Sequence, residues 1–322
     1  NVLSKLALKY ELPQEILNYR QLAKITSTYI DALPRMVDEK TNRIHATFDQ
    51  TGTETGRLSS RNPNLQNIPI RTEFGRQLRK AFIAKDKNYV LLSADYSQVE
   101  LRILGHLSQD KNLITAFMEG QDIHTVTAAS IFNVQEKDVT GDMRVVAKRI
   151  NFGIVYGMSA FGLSKDLGVS QKEAQEFIDK YFLRYPGVSK FMHEQIQKAE
   201  ENGFVVTLLN RRRYMPEIHS ENVGLRQFAQ RQAINTSVQG TAADLIKLAM
   251  VHVQKRIEEE KFRSQMTITV HDELVFDIFK KEEGPMIEMI RREMEAPLKL
   301  RVPIKVSIKV GNNWLEMEEV KE

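Results

Sequence analysis

The sequence predicts an α+β fold in which an antiparallel or mixed sheet is split by a long, mostly helical insertion. Three observations carry this. Two apolar runs end in aspartate: Val90, Leu91, Leu92 and Ala94 precede Asp95, while Ile268 and Val270 alternate with threonines before His271 and Asp272. Both read as strands packed in a core. Helical patterns dominate from about Leu107 to Ala233, including Gln171 to Leu183 and Val188 to Asn202, and Pro303 to Val310 alternates apolar and polar residues as a further strand.

Taken in chain order, the first informative stretch is basic. Arg57, Arg61, Arg71, Arg76, Arg79 and Lys80 crowd a segment that also carries Asn64, Gln66 and Asn67. That mixture suits phosphate contact combined with groove contact, with an ordinary basic surface as the plainer reading. Next comes the strand ending at Asp95, which places a carboxylate where a sheet opens to solvent.

Inside the helical block, Arg144, Lys148, Phe152 and Tyr156 recur at every fourth residue. On an α-helix such residues share one face, and the stripe of two cations and two aromatics spans roughly 18 Å. That is about the reach of an extended nucleoside triphosphate. Cations suit the phosphates, and an aromatic ring can pack on a sugar or base. An amphipathic helix would more commonly divide cations and aromatics between two faces. Further on, Arg211-Arg212-Arg213 follows the strand-like run Val205 to Leu209. A solvated hairpin end and a nucleic-acid contact are equally open there.

The second strand-end carboxylate, Asp272, completes a pair with Asp95. A lone strand-end aspartate is more often a turn former or a helix N-cap. Two brought together would repel unless a cation lay between them, and paired hard oxygen ligands suit Mg²⁺, which prefers carboxylates plus substrate phosphates to an all-protein cage.

Composition adds exclusions. The 322 residues include no cysteine, so disulfides, zinc-thiolate sites and thiol nucleophiles are ruled out. No apolar run reaches the eighteen or so residues of a membrane span, and no secretory signal is evident. The expectation is a soluble, monomeric, cytoplasmic protein without a membrane partner. The formal charge of +4 is mildly favourable for a polyanionic ligand.

Together these segments resemble the motifs of family A DNA polymerases. The first motif matches Asp95-Tyr96-Ser97-Gln98-Val99-Glu100-Leu101-Arg102, the second Arg144 to Gly157, and the third His271-Asp272-Glu273. Thr55 to Ser60, Asn64 to Pro69, Asp122-Ile123-His124, and Arg231 through Asn235 to Gln239 and Asp244 are similar to the same family, in family order. The departures are mild, such as Val99 where isoleucine is usual.

The resemblance implies a right-hand polymerase fold, with the sheet as a palm and the helical block as fingers. It assigns 1–45 to the end of a thumb and the lead-in, 46–106 and 231–322 to the two parts of the palm, and 107–230 to the fingers, whose nucleotide helix covers about 142–157. Because the chain begins at Asn1 and only Val2 to Leu33 is thumb-like, a truncated piece is expected, lacking proofreading and 5′-nuclease domains.

Implied partners are primer-template DNA and deoxynucleoside triphosphates. Two Mg²⁺ ions, or Mn²⁺ in their place, would be held by Asp95, Asp272 and the Tyr96 carbonyl. The triphosphate would be bound by Gln98, Glu100, His124, Arg144, Lys148, Phe152 and Tyr156, with Lys148 also the acid for departing pyrophosphate. Arg57, Asn64, Gln66, Asn67, Arg71, Arg231, Asn235, Gln239 and His271 would meet the primer-template, with Glu273 in support. Two other readings are open. Single-subunit RNA polymerases share the aspartates and the helix, but the family places Glu100 against the sugar 2′ position, and Glu100 and Phe152 point to deoxynucleotides. A silent DNA-binding remnant is disfavoured by the intact aspartates and cationic stripe.

Overall fold

The computed structural model describes residues 2–69 and 72–321, so Arg71, expected at the primer-template, lies outside the described residues. At its centre, strand β1 (Tyr89–Tyr96) is flanked by β3 (Glu273–Phe279) and β4 (Val306–Gly311), with β2 (Gln265–Val270) and β5 (Met317–Glu319) at the edges. The order is β5-β4-β1-β3-β2, and every neighbouring pair is antiparallel. Of the two arrangements expected, the sheet therefore takes the antiparallel one. Only two residues join β2 to β3 and five join β4 to β5, links too short for the crossover that parallel pairing requires.

Residues along β1 and β3 alternate between two cores. Val90, Leu92, Ala94, Leu274, Phe276 and Ile278 join the large core beneath the helices. Leu91 and Val275 join a smaller one with Tyr29, Leu65, Ile68 and Trp314. Burial on both faces explains why the strands read as continuous apolar runs. Leu92, Phe276 and Ile308 are 0% exposed, and each such side chain contributes about 1.5–3 kcal/mol. Asp95 and Glu273 are Cα partners on the face of the smaller core, and there the sheet opens.

The helical block contains α1 (Val99–Ser108), α2 (Lys111–Met118), α3 (Ile123–Phe132), α4 (Gly141–Val155), α5 (Ala160–Leu167), α6 (Gln171–Arg184) and α7 (Pro186–Asn202). A hairpin of Phe204–Val206 with Arg212–Tyr214 follows. Its first strand is shorter than the apolar run Val205 to Leu209, because Thr207 N–H already closes the turn onto the Arg211 carbonyl. Helix α8 (Val223–Glu259) is 37 residues long and passes without a break through residue 230, where the expected fingers give way to palm. Helix α9 (Glu283–Glu295) was not anticipated, although Met286, Met289, Ile290 and Met294 form its buried stripe at helical spacing. Gly240 lets three elements meet: a Cβ there would lie 2.5 Å from Thr207 Cγ2 and 3.3 Å from the Thr55 carbonyl.

Candidate active site at the strand ends

Asp95 is the penultimate residue of β1, and His271-Asp272 form the two-residue turn between β2 and β3. His271 adopts a φ of 53°, a left-handed conformation uncommon for non-glycine residues, and the tight turn puts Asp272 beside the end of β1. Tyr96 N–H donates to the Asp272 carbonyl at 3.1 Å, so the two acidic motifs are joined through the backbone.

After Asp95 the chain turns into α1 through Gln98, itself at φ 53°. Arg102 fixes that turn, its Nε donating to the Ser97 carbonyl at 2.9 Å and its Nη1 to the Pro303 carbonyl at 2.6 Å. Glu100 thereby falls in the first turn of a helix whose Leu101, Ile103 and Leu104 are buried.

The carboxylates repel one another as expected. The Asp95 carboxyl faces solvent on one side but is otherwise enclosed by protein. That enclosure, followed by the charges of Glu273 and Asp272, pushes its pKa up to about 6. Burial likewise raises Asp272, with Arg57 and His271 acting against the rise. Glu273, on the same face as Asp95, accepts from Ser93 Oγ at 2.5 Å and Trp314 Nε1 at 2.9 Å. Arg79 lies 4.0 Å from it and 4.1 Å from the centre of the Trp314 ring.

Among the described residues no cluster of three or more His, Cys, Asp or Glu side chains is arranged to cage a metal. Two mutually repelling carboxylates with open space before them fit a divalent ion that completes its shell with substrate oxygens. Glu100 is buried, and its Oε1 receives Arg57 Nη2 at 2.7 Å; the same guanidinium lies 3.7 Å from Asp272. Burial and then the charge of Glu100 push the Tyr156 phenol well above its usual range. Arg57, Gln66, His271 and Asp272 line one crevice.

On α4 the expected stripe is present. Arg144, Lys148 and Tyr156 are exposed and Phe152 is half-buried, while Ala147, Ile150, Asn151 and Ile154 pack inward. The Phe152 and Tyr156 rings stack at 6.4 Å, and Gly157, at φ 65°, ends the helix in the left-handed conformation that glycine favours. Arg144 Nε pairs with Asp122 Oδ2 at 2.5 Å. Asp122 also caps α3 by accepting from His124 N–H at 3.2 Å.

The remaining expected residues are less uniform. Arg231 abuts Gly157 and lies over Phe228. Asn235 Oδ1 is buried without a hydrogen-bond partner among the described residues, and Gln239 is half-buried on the same row of α8. Asn64 spends its side chain capping the turn at Gln66 (3.0 Å), and Gln66 donates to the Thr269 carbonyl at 3.2 Å. At Asn67 the backbone carbonyl is taken by Tyr29 at 2.6 Å. Each residue of the arginine triplet has a protein partner: Arg211 grips Asp244 with Nε at 2.8 Å and Nη2 at 2.7 Å, Arg212 stacks on Phe204, and Arg213 binds Glu54, Gln232 and Thr236. These favour the hairpin reading of that segment.

The model of DNA polymerase family A matches residues 1–316. The chain belongs to this family. DNA polymerase I of Geobacillus stearothermophilus is 48% identical over 316 residues, which is 98% of this chain and 36% of that protein. DNA polymerase I of Pseudomonas aeruginosa is 50% identical over 316 residues, again 98% of this chain and 34% of its own length. The chain thus spans about a third of these curated relatives. The solved POL domain of Pol1 from M. smegmatis, a complex with DNA primer-template and dNTP, superposes with a TM-score of 0.92 at 41% identity. It covers 97% of this chain and 55% of that one. The α+β architecture is therefore that of a family A polymerase domain.

Asp122 was noticed as part of a motif but not as the partner of Arg144. Asn151 was passed over inside the α4 motif. Ser93 and Trp314 gave no signal, since nothing in their spacing marks them as neighbours of Glu273.

Proposed function

We propose that this chain performs template-directed DNA synthesis, adding deoxynucleotides to a primer 3′-hydroxyl with release of pyrophosphate. The observation that carries the reading is the pairing of Asp95 with Asp272 at adjoining strand ends, in a chain that also presents Arg144, Lys148, Phe152 and Tyr156 as one stripe. Asp95, Asp272 and the Tyr96 carbonyl would hold divalent ions, Mg²⁺ by preference. When bound, such ions lower the pKa of the attacking hydroxyl and neutralise charge on the phosphates.

The protein's own work is positioning, because phosphoryl transfer asks for little covalent chemistry. Arg144 and Lys148 seat the triphosphate, Arg144 exchanging Asp122 for phosphate, and Lys148 is placed to protonate the leaving pyrophosphate. His124 donates to a phosphate oxygen. Phe152 and Tyr156 pack against the nucleoside, and Glu100, clamped by Arg57, stands where a 2′-hydroxyl would intrude. Gln98 flanks that pocket at the start of α1. Arg57, Arg231, Asn235 and Gln239 meet minor-groove acceptors common to all base pairs, testing pair shape without reading sequence, while His271 meets the primer end and Glu273 braces the turn. The sheet serves as palm and the helical block as fingers.

Primer extension with Mg²⁺, comparing deoxy- and ribonucleotides, tests the proposal. Extension with deoxynucleotides alone is expected. DNA binding without extension would mark the chain as a silent binding piece, and equal use of ribonucleotides would favour the RNA polymerase reading.

A further inference from the structure

Four buried polar groups line up behind the nucleotide helix. Tyr185 hydroxyl lies 3.3 Å from Thr127 Oγ1, which donates to Asn151 Oδ1 at 3.1 Å, and Asn151 Nδ2 stands 2.9 Å from His124 Nδ1. Asn151 is 1% exposed, Thr127 1%, Tyr185 0% and His124 2%. These groups come from two helices, α3 and α4, and from the residue linking α6 to α7, and a dry polar chain of this kind is costly unless every member is satisfied.

The chain has a direction. Asn151 Oδ1 can only accept, so Thr127 Oγ1 donates to it and in turn accepts from the Tyr185 hydroxyl. The Asn151 amide N–H is thereby left to donate toward His124 Nδ1. Nδ1 must then accept. The His124 ring is neutral, its pKa lowered to about 4 chiefly by burial and further by Arg144 and Lys148, with Asp122 opposing. A neutral ring accepting at Nδ1 carries its proton on Nε2, and Nε2 has no partner among the described residues.

From this geometry we infer that Asn151 is a positioning residue, whose amide holds His124 in the Nε2–H tautomer as a hydrogen-bond donor to the triphosphate. The inference rests on the polymerase reading for its ligand, but the tautomer itself does not. A donor suits a phosphate oxygen, whereas the opposite tautomer would present a lone pair and repel it. Neutrality matters as well: two cations already face the phosphates, and a fixed dipole adds attraction without a third buried charge.

The test is nitrogen-15 NMR of the whole chain labelled at its seven histidines, with His124→Ala identifying the signal, followed by titration with dATP. The expected wild-type signature is a protonated Nε2 whose resonance moves on dATP addition. Asn151→Asp keeps the shape but reverses the partner, and should give an Nδ1–H or doubly protonated ring. In steady-state extension, Asn151→Ala should raise KM for dATP by about tenfold, the scale of one charge-assisted hydrogen bond, with kcat changed far less. It should have no further effect in a His124→Ala background.

A wild-type Nδ1–H ring, or an Asn151→Ala effect that persists fully without His124, would overturn the inference and leave Asn151 as packing alone. Should Asn151→Ala fail to fold, the wild-type and Asn151→Asp spectra decide. Binding of dATP to an Nε2–H ring in a chain that never extends primers would sink the polymerase proposal and not this one.

Discussion

The Arg57 guanidinium stands between two acids, 2.7 Å from Glu100 Oε1 and 3.7 Å from Asp272 Oδ1. Glu100 has a second oxygen, Oε2, buried with no hydrogen-bond partner among the described residues. A residue expected to read duplex DNA is therefore also the counter-ion that makes a buried carboxylate tolerable. On the proposed reading, duplex binding at Arg57 and sugar discrimination at Glu100 would be coupled through this one side chain.

Arg57→Met should lower stability by about 2 kcal/mol at pH 8, less than a fully buried pair would lose. Burial, then Asp272, already raises the Glu100 pKa and Arg57 lowers it. Without Arg57 the folded-state pKa rises further. Since a raised carboxyl favours the fold below its unfolded pKa and loses that advantage as pH rises, the deficit should shrink at pH 4.5. Urea denaturation at the two pH values measures this; an equal loss at both would break the link to Glu100.

Asp95→Asn should stabilise the metal-free protein. The Asp95 pKa is raised to about 6, so its favourable contribution is complete below the unfolded value and disappears as pH rises through 6. The gain in Tm should accordingly be larger at pH 8 than at pH 4.5. Mg²⁺ should raise the wild-type Tm at pH 8 and do little below pH 5, where protons occupy the site. Primer extension by Asp95→Asn or Asp272→Ala should be abolished, with primer-template affinity within a few-fold; near-normal extension would refute the metal assignment.

Glu100→Ala should admit ribonucleotides by opening the space beside the sugar. The competing rates of dATP and ATP incorporation give the ratio. An unchanged ratio would take Glu100 out of the sugar pocket.

Asp122→Asn should lower KM for the incoming nucleotide by about threefold. The Asp122–Arg144 pair is partly exposed, and such pairs contribute at most about 1 kcal/mol; on the proposed reading, triphosphate binding breaks it. Asparagine preserves the cap on α3, so a drop in Tm should not accompany the change. A higher KM would mean that Asp122 aims Arg144 instead of restraining it.

Gly240→Ala should cost about 1–3 kcal/mol through overpacking, because its Cβ would meet Thr207 and the Thr55 carbonyl. Thermal denaturation reads the loss directly, and an unaltered Tm would show that the Thr207 methyl swings clear.

Much of this was legible in the residues themselves. Asp95 and Asp272 announced themselves because each ends an apolar run, and Arg144 to Tyr156 because the helical repeat keeps four side chains in register. What escaped depends on contacts between distant segments. Asp122 is 22 residues from Arg144, and Ser93 is 180 from Glu273; no local period connects such pairs. The arginine triplet stayed ambiguous for the same reason, since its partner Asp244 lies 33 residues from Arg211 on another element. Helix α9 is a different case, since its buried methionine stripe lies at ordinary helical spacing within a single local segment.

Helix α8 has a mechanical consequence. Arg231, Asn235 and Gln239 occupy one row of it, and the buried run from Gly240 to Ile246 anchors the same rod further along. At 1.5 Å per residue the row is about 12 Å long, close to the rise of three to four base pairs. A continuous helix transmits rotation and displacement like a shaft. The row cannot be re-aimed without dragging the anchored stretch, so a load applied at Arg231, Asn235 or Gln239 would be carried into the buried core beyond Gly240 as torque.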